Sequence, residues 1–267
     1  MARKQTTLFA LIMCAFLTLG PVRSALAGTG SPIIAYMAMI HVTVDGKWTI
    51  PDEWTDSINT TLGLANRFHV KHDDGFLYFL IDYVSDRTMS NGDVSWVYVD
   101  TKNDGGSAPR TDDYGFTVGY SGGFFAEMTI GTGTGWGPQT RPITGFFGSI
   151  GWDASLDPYS TTSHRIYEYK IPKVVLGEST KVGLRVAARD GETDTWVMWP
   201  LGSLRDKLDQ WGILEISSMQ IPEFPTIALP LIFFAATLCA LALAKHRKRS
   251  RNQPTDSCAK CESPSRR

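Results

Sequence analysis

The stretch Asp93-Val94-Ser95-Trp96-Val97-Tyr98-Val99-Asp100 decides the fold class. It is filled with β-branched and aromatic residues and bounded by turn-forming clusters, Met89-Ser90-Asn91-Gly92 before it and Lys102-Asn103-Asp104-Gly105 after it. Such a run, so bounded, reads as one β-strand. Side chains alternate between the faces of a strand, which puts Trp96, Tyr98 and Asp100 on one side. Runs of the same kind recur at 33–44, 76–84, 114–120, 124–130, 166–171, 181–188 and 213–216, separated by Gly, Asp, Asn and Pro clusters. Helix-like stretches are confined to 52–59 and 204–211, too short to cross over a parallel sheet. The pattern predicts an all-β, antiparallel β-sandwich of the jelly-roll or immunoglobulin-like kind.

Alternation is clearest in His164-Arg165-Ile166-Tyr167-Glu168-Tyr169-Lys170-Ile171. Arg165, Tyr167 and Tyr169 share one face; Ile166, Glu168 and Lys170 share the other, where Glu168 is expected to meet solvent. The Gly-rich stretch 131–151 reads as long, exposed loops.

Outward from this domain, both ends carry targeting patterns. Residues 1–4 are basic, 8–19 are almost wholly apolar, and Ala25-Leu26-Ala27 has the small-x-small form of a cleavage site, which predicts a signal peptide over 1–27; the alternative is an uncleaved anchor. Residues 226–244 contain no charge, and Lys245-His246-Arg247-Lys248-Arg249 follows at once. This predicts one transmembrane helix, with a basic cytoplasmic tail over 245–267 by the positive-inside rule. The expected product is a single-pass cell-membrane protein whose folded domain, residues 33–218, lies outside.

Charge is divided along the chain. The formal net charge is −1, but residues 28–223 hold 25 acidic and 15 basic residues, a net −10, and the stretch after 244 holds 8 basic and 2 acidic, a net +6. A domain this acidic is expected to have no nucleic-acid partner. None of the 4 cysteines lies in the folded domain: they are Cys14, Cys239, Cys258 and Cys261. An exported domain without disulfides relies on its core, and bound calcium would help it. Cys258-Ala259-Lys260-Cys261 is half of a zinc knuckle or redox pair, or a place for lipid attachment.

Several motifs occur in one order: Asp45-Gly46, Asp52-Glu53-Trp54, Asp74-Gly75-Phe76-Leu77-Tyr78-Phe79, Val84-Ser85-Asp86, the 93–100 strand, Tyr167-Glu168-Tyr169-Lys170-Ile171-Pro172, and Trp199-Pro200 after 182–190. This ordered set resembles the family 9 carbohydrate-binding modules and the DOMON-type sandwiches related to them. The resemblance implies a β-sandwich and non-catalytic binding of a glycan or surface polysaccharide. Family members grip sugars between two Trp side chains, one just before the Asp93-type strand; here that place reads Met89-Ser90-Asn91-Gly92. Residues 219–225 form a linker ending in Pro222-Glu223-Phe224-Pro225. With the apolar run and basic cluster that follow, this resembles the archaeal PEF-type sorting signal, which implies an archaeosortase-type processing enzyme and a cut, lipid-anchored end at the cell surface. The plain alternative is an uncleaved anchor.

Eight Trp supply aromatic faces of the kind that pack on pyranose rings. Trp96, Tyr98, Trp136, Trp152, Trp196 and Trp199 are the candidate ligand-binding residues, whereas Trp48 and Trp54 read as core. Asp100-Thr101-Lys102-Asn103-Asp104-Gly105-Gly106 is an acidic loop that either wraps calcium or serves as a hairpin turn. With Asp86 and Asp93, this makes Asp86, Asp93, Asp100, Asn103 and Asp104 the candidate metal ligands. Catalysis is not expected: Glu127 and Glu168 bear no mark of an acid and nucleophile pair, and nucleophile-elbow, zinc-helix and phosphate-loop motifs are missing. Two other readings stand beside glycan binding. One is a haem-binding electron-transfer domain of DOMON type, with His69, His72, Met89, Met128, His164 and Met198 as candidate ligands; the other is a purely structural surface or adhesion domain.

Overall fold

The structure is a computed structural model that describes residues 32–49, 53–139, 143–153, 158–220 and Thr237. The chain divides into two units, Met1–Ile221 and Pro222–Arg267. The expected signal peptide, sorting motif, membrane helix and tail fall outside the described residues, except Thr237, which is helical. Among the described residues no helix is long and apolar enough to cross a membrane.

The first unit is all β. Its strands are β1 (Ile33–Met37), β2 (Ile58–Leu62), β3 (Asn66–His72), β4 (Phe76–Tyr83), β5 (Asp93–Asp100), β6 (Asp113–Tyr120), β7 (Phe124–Gly131), β8 (Trp136–Pro138), β9 (Phe147–Asp153), β10 (His164–Pro172), β11 (Lys181–Asp190), β12 (Thr195–Trp199) and β13 (Gly212–Gln220). They form one continuous sheet in the order β8-β7-β6-β5-β11-β13-β1-β3-β4-β10-β9, with β12 added on β11 and β2 on β3. The sheet curls until β9, at one end, packs over β6 and β7 near the other. The pairing is antiparallel except at β1, which runs parallel to both β13 and β3; the expected sandwich is therefore mixed at this strand.

Strand positions follow the hydrophobic pattern. Phe79 and Ile81 of β4, Val97 and Val99 of β5, Phe116 and Val118 of β6, Tyr167 and Tyr169 of β10, and Leu184 and Val186 of β11 alternate inward to one core. β4 and β10 are buried on their outer face as well, because the segment before β2 folds across it. Val42, Trp48 and Trp54 pack there on Tyr78, Leu80 and Ile166, so Trp48 and Trp54 are core as expected.

This second layer corrects several expectations. The run 33–44 is a strand only over Ile33–Met37, and its continuation becomes irregular cover. Of the expected helix-like stretch 52–59, the described residues 53–59 give a turn and then β2, and 204–211 gives only the short 3-10 turn Leu208–Gln210. Glu168 is fully buried rather than solvated. Its Oε2 accepts from the backbone N–H groups of Asp45 and Gly46, both at 2.7 Å, and its Oε1 accepts from Trp54 Nε1 at 3.0 Å. Beside it, the buried Lys71 ammonium donates to Asp56 Oδ1 at 2.6 Å and to the Ile40 and Glu53 carbonyls, so each proton of the charge has an acceptor.

The supposed loop region 131–151 contains β8 and the start of β9. β9 is glycine-rich because other chain segments cross it closely: a Cβ on Gly148 would collide with Val118, and one on Gly151 with the Gly46 carbonyl oxygen. Gly46, with φ +82°, has the left-handed backbone that glycine adopts without strain. Replacing Gly151 by Ala is expected to lower stability by about 2–3 kcal/mol, because backbone rather than a flexible side chain must yield. Urea-unfolding midpoints check this; an unchanged midpoint would mean that the segment around Gly46 is not seated on β9.

Candidate binding cleft

β5 places Val94, Trp96 and Tyr98 on the outer face of the sheet, opposite Val97 and Val99. Register carries that face across its neighbours. Trp96 lies opposite Ala187 of β11 and Thr117 of β6; Thr117 lies opposite Glu127 of β7; and Arg189 of β11 lies opposite Trp196 of β12. Gly115 and Gly119, the β6 partners of Tyr98 and Val94, let aromatic rings lie directly over the strand. A Cβ on Gly115 would come within 2.8 Å of the Tyr98 ring, and one on Gly119 within 2.6 Å of the Phe125 ring. The result is a surface cleft of about 360 Å³, lined among others by Trp96, Tyr98, Thr117, Glu127, Trp136 and Arg189.

Its walls are aromatic. The Trp96 and Trp196 rings stack with centroids 5.1 Å apart and planes 6° apart, a contact permitted by the small Ala187 on the strand between them. Trp196 remains 46% exposed, with the Arg189 guanidinium 5.8 Å from its ring centroid. Two hydrogen bonds hold it: Asp194 Oδ1 accepts from Trp196 Nε1 at 3.2 Å and from Arg189 Nε at 2.7 Å. Farther along, Tyr98 packs on Trp136 at 5.1 Å and on Trp211 at 5.9 Å, and Trp136 and Trp211 are themselves nearly parallel, with planes 5° apart. Trp211 is fixed by donating to the Leu204 carbonyl at 3.1 Å. Arg189 and Arg205 add cationic hydrogen-bond donors, and Glu127 adds an exposed carboxylate. Burial raises the Tyr98 phenol to about 12, so it stays protonated at neutral pH.

Of the expected ligand-binding residues, Trp96, Tyr98 and Trp136 line the cleft, Trp196 stacks on Trp96 beside it, and the other two are not part of the lining. Trp199 is in the core, 8% exposed and packed on Phe68. It lies three positions from Trp196 on the same strand, and an odd interval puts it on the opposite face. Trp152 on β9 lies beside the Arg165 guanidinium, 5.7 Å from its ring centroid, and is not among the cleft's lining residues. Sequence reasoning did not find Arg189, Arg205, Thr117 or Phe125. The glycines of β6 were the available signal, since a glycine within a strand marks a close approach, here of the Tyr98 and Phe125 rings that line the cleft.

The cleft's lining holds one acidic residue, Glu127, whereas glycosidases use two carboxyl groups across the bond they cleave. Glu168 is buried under the second layer, raised to about 8 by burial and by nearby Glu53. Among the haem candidates, His72 and His164 use both ring nitrogens in contacts within the protein. His69 is buried against Ser57 Oγ and held down to about 3 by burial, which keeps it neutral.

The candidate metal ligands fall into two groups at opposite ends of β5. Asp86 and Asp93 come together with Asp190, which sequence reasoning did not single out. Asp100 instead accepts from the backbone N–H groups of Asp104 and Gly105 at 3.3 and 2.9 Å, and Asn103 has a left-handed φ of +50°. Asp100 thus caps the turn that follows it, and the Asp104 side chain pairs with Arg110.

An all-β domain with an aromatic surface cleft is the class that the fold and site define. The sequence matches no protein-family profile and none of the curated proteins. Among solved structures, the chain is similar to a family 9 carbohydrate-binding module from Caldicellulosiruptor kristjanssonii. In that module's complex with cellotriose the identity is 15%, the TM-score 0.48, and the match covers 72% of this chain and 97% of that one. In its complex with glucose the corresponding values are 16%, 0.47, 72% and 100%.

Proposed function

We propose that this chain is a non-catalytic carbohydrate-binding protein whose site is the outer-face cleft built on Trp96, Trp196, Tyr98 and Trp136. The observation that carries the reading is the Trp96–Trp196 stack, a flat indole surface with Trp196 nearly half exposed and Arg189 at its side. A pyranose ring has the matching chemistry: axial C–H groups form an apolar face that packs on an indole, and equatorial hydroxyls reach polar groups at the edge. With centroids 5.1 Å apart, the two rings leave no space for a sugar between them. They act as one platform rather than as jaws, which suits a sugar lying along the cleft. The single carboxylate of the lining favours holding a glycan over hydrolysing it. In this reading the apolar run 226–244 tethers the domain at the cell surface, and the glycan is met outside the membrane.

The test is a glycan-array screen of the full chain in mild detergent, followed by titration of Trp fluorescence with the glycans that bind. Thr117→Phe fills the floor of the cleft with a residue that strands accept. It is expected to weaken binding at least about tenfold, roughly 1.4 kcal/mol, without lowering the melting temperature. Binding unaffected by Thr117→Phe would place the glycan site elsewhere, and an array without a hit would remove the reading.

A further inference from the structure

Strand β11 lays a charge pattern along the aromatic row of β5. Arg185, Ala187 and Arg189 alternate to one face, and register sets them beside Tyr98, Trp96 and Val94 in turn. The small Ala187 lies beside the Trp96–Trp196 stack, so a guanidinium stands on either side of it, with the two Arg Cα atoms about 13 Å apart along the strand. A third, Arg205, joins the cleft's lining and lies within electrostatic reach of the Tyr98 hydroxyl. In a stretch of net charge −10, three cations on one face are a local exception.

Their partners leave that charge only partly answered. Arg189 pairs through Nε with Asp194 at 2.7 Å, and Arg205 through Nε with Asp206 at 2.9 Å, both at the surface. Such exposed pairs are weak, and each uses one of the five N–H groups that a guanidinium carries. Arg185 is different. It is 5% exposed, its guanidinium lies 5.7 Å from the Tyr98 ring centroid, and its Nε donates to the Ser203 carbonyl at 3.1 Å. Among the described residues no carboxylate pairs with it; Asp206 acts on it through space but is already held by Arg205. A buried cation without its own carboxylate projects positive potential around Tyr98. Beside Tyr98, Trp136 Nε1 is buried with no acceptor, a rare state for a buried N–H. Against these donors the lining offers one acceptor-only group, the Glu127 carboxylate. The hydroxyls of a neutral sugar donate as well as accept and leave this imbalance in place. A carboxylate only accepts, matches the guanidinium fork with two parallel bonds and brings the missing negative charge.

We propose that the glycan of this cleft is acidic, built on uronic acid residues whose carboxylates are held by Arg189 and Arg205 while a sugar ring lies on the Trp96–Trp196 platform. The inference rests on the cleft being the glycan site. Arg185, being buried, supplies charge rather than contact. Glu127, across Thr117 from Trp96, accepts from ring hydroxyls.

The full chain in mild detergent is titrated by calorimetry with hexamers of galacturonic acid and of glucuronic acid, each against its neutral counterpart of galactose or glucose, with a sulfated galactose hexamer as a further arm. A uronic acid hexamer is expected to bind at least about tenfold tighter than its neutral counterpart, and this preference to shrink as sodium chloride rises from about 0.05 to about 0.5 M. Arg189→Gln and Arg205→Gln are each expected to cut the preference at least about fivefold, whereas Arg110→Gln, which pairs with Asp104 outside the lining, leaves it unchanged. If one of the two cleft variants does not fold, the other and the salt series carry the test. A neutral glycan bound as tightly as any acidic one, on the array or in solution, and lost in Thr117→Phe, overturns the acidic ligand while leaving the cleft as the glycan site. A preference for the acid that survives both arginine substitutions, or tighter binding of the sulfated hexamer, overturns the assignment of the carboxylate. If no hexamer and no glycan on the array binds, the cleft reading fails and this inference falls with it.

Discussion

Replacing Glu168 by Ala is expected to destabilise the domain by about 3–5 kcal/mol, or about 10–15 °C in melting temperature for a domain of this size. The reason is the number of groups that the carboxylate serves. Asp45 N, Gly46 N and Trp54 Nε1 all donate to it, and alanine would leave these donors unpaired while opening a void under Trp54. The loss would spread, because those donors fasten the whole segment that covers β4 and β10. Glu168→Gln keeps the volume and one acceptor oxygen, so it should cost about 1–2 kcal/mol.

The two variants also separate in their pH dependence. Burial raises Glu168 to about 8 and Asp113 to about 7 in the folded chain. Between the ordinary carboxylate range and those values, the folded state holds protons that the unfolded state has released. This contribution to stability is complete at low pH and drains away as pH rises through 7 and 8. His69 acts in the opposite sense: held down to about 3, it contributes fully above its ordinary value of about 6.5, and that contribution is lost as pH falls toward 3. Stability should therefore peak on the acid side of neutrality. Glu168→Gln should flatten the decline that runs from the ordinary carboxylate range up to about pH 8, and leave stability below that range unchanged. Thermal unfolding from pH 4 to 9 checks both limbs, and a wild-type melting temperature that climbs steadily from pH 6 to 9 would show that Glu168 is ionised in the folded protein.

How much of this was legible in the sequence depended on whether a strand's two faces differ. β5, β6, β10 and β11 were readable because β-branched and aromatic residues fill them between turn clusters. β3, Asn66-Arg67-Phe68-His69-Val70-Lys71-His72, was hidden: its polar residues suggest solvent, yet Lys71, His69 and His72 are buried and partnered by segments distant in sequence. β9 was hidden because close crossing by Gly46 and Val118 demands glycine, and glycine reads as loop. Glu168 misled for a related reason. Alternation assigns it to the outer face, but only the segment 42–54 reveals that this face is covered. At the cleft, the aromatic residues were visible as types. Their sorting into platform and core required the existence of β12, because Trp196 and Trp199 exchange faces if that strand slips by one residue.

Replacing Trp96 and Trp196 by Ala should therefore abolish glycan binding while sparing the fold, and replacing Trp199 should do the reverse. Each platform ring is partly or largely exposed, and its contribution as a flat anchor in a binding site is about 2 kcal/mol, roughly thirtyfold in affinity. The single losses should not add, since removing either indole also leaves the other without its stacking partner. The double variant is then expected to lose somewhat less than the product of the two single factors, but more than a hundredfold, which is below detection for a weak glycan ligand. Trp199→Ala, by contrast, opens a large cavity against Phe68 and Gly212 and should cost about 3–5 kcal/mol of stability. Its remaining folded fraction should bind glycan with unaltered affinity, because Trp199 faces the interior. Melting temperatures and calorimetric titrations on the three variants read the two properties separately. If Trp199→Ala weakened binding per folded molecule as much as Trp196→Ala does, the outer face of β12 would not be the binding face, and the cleft would lose its claim to the ligand.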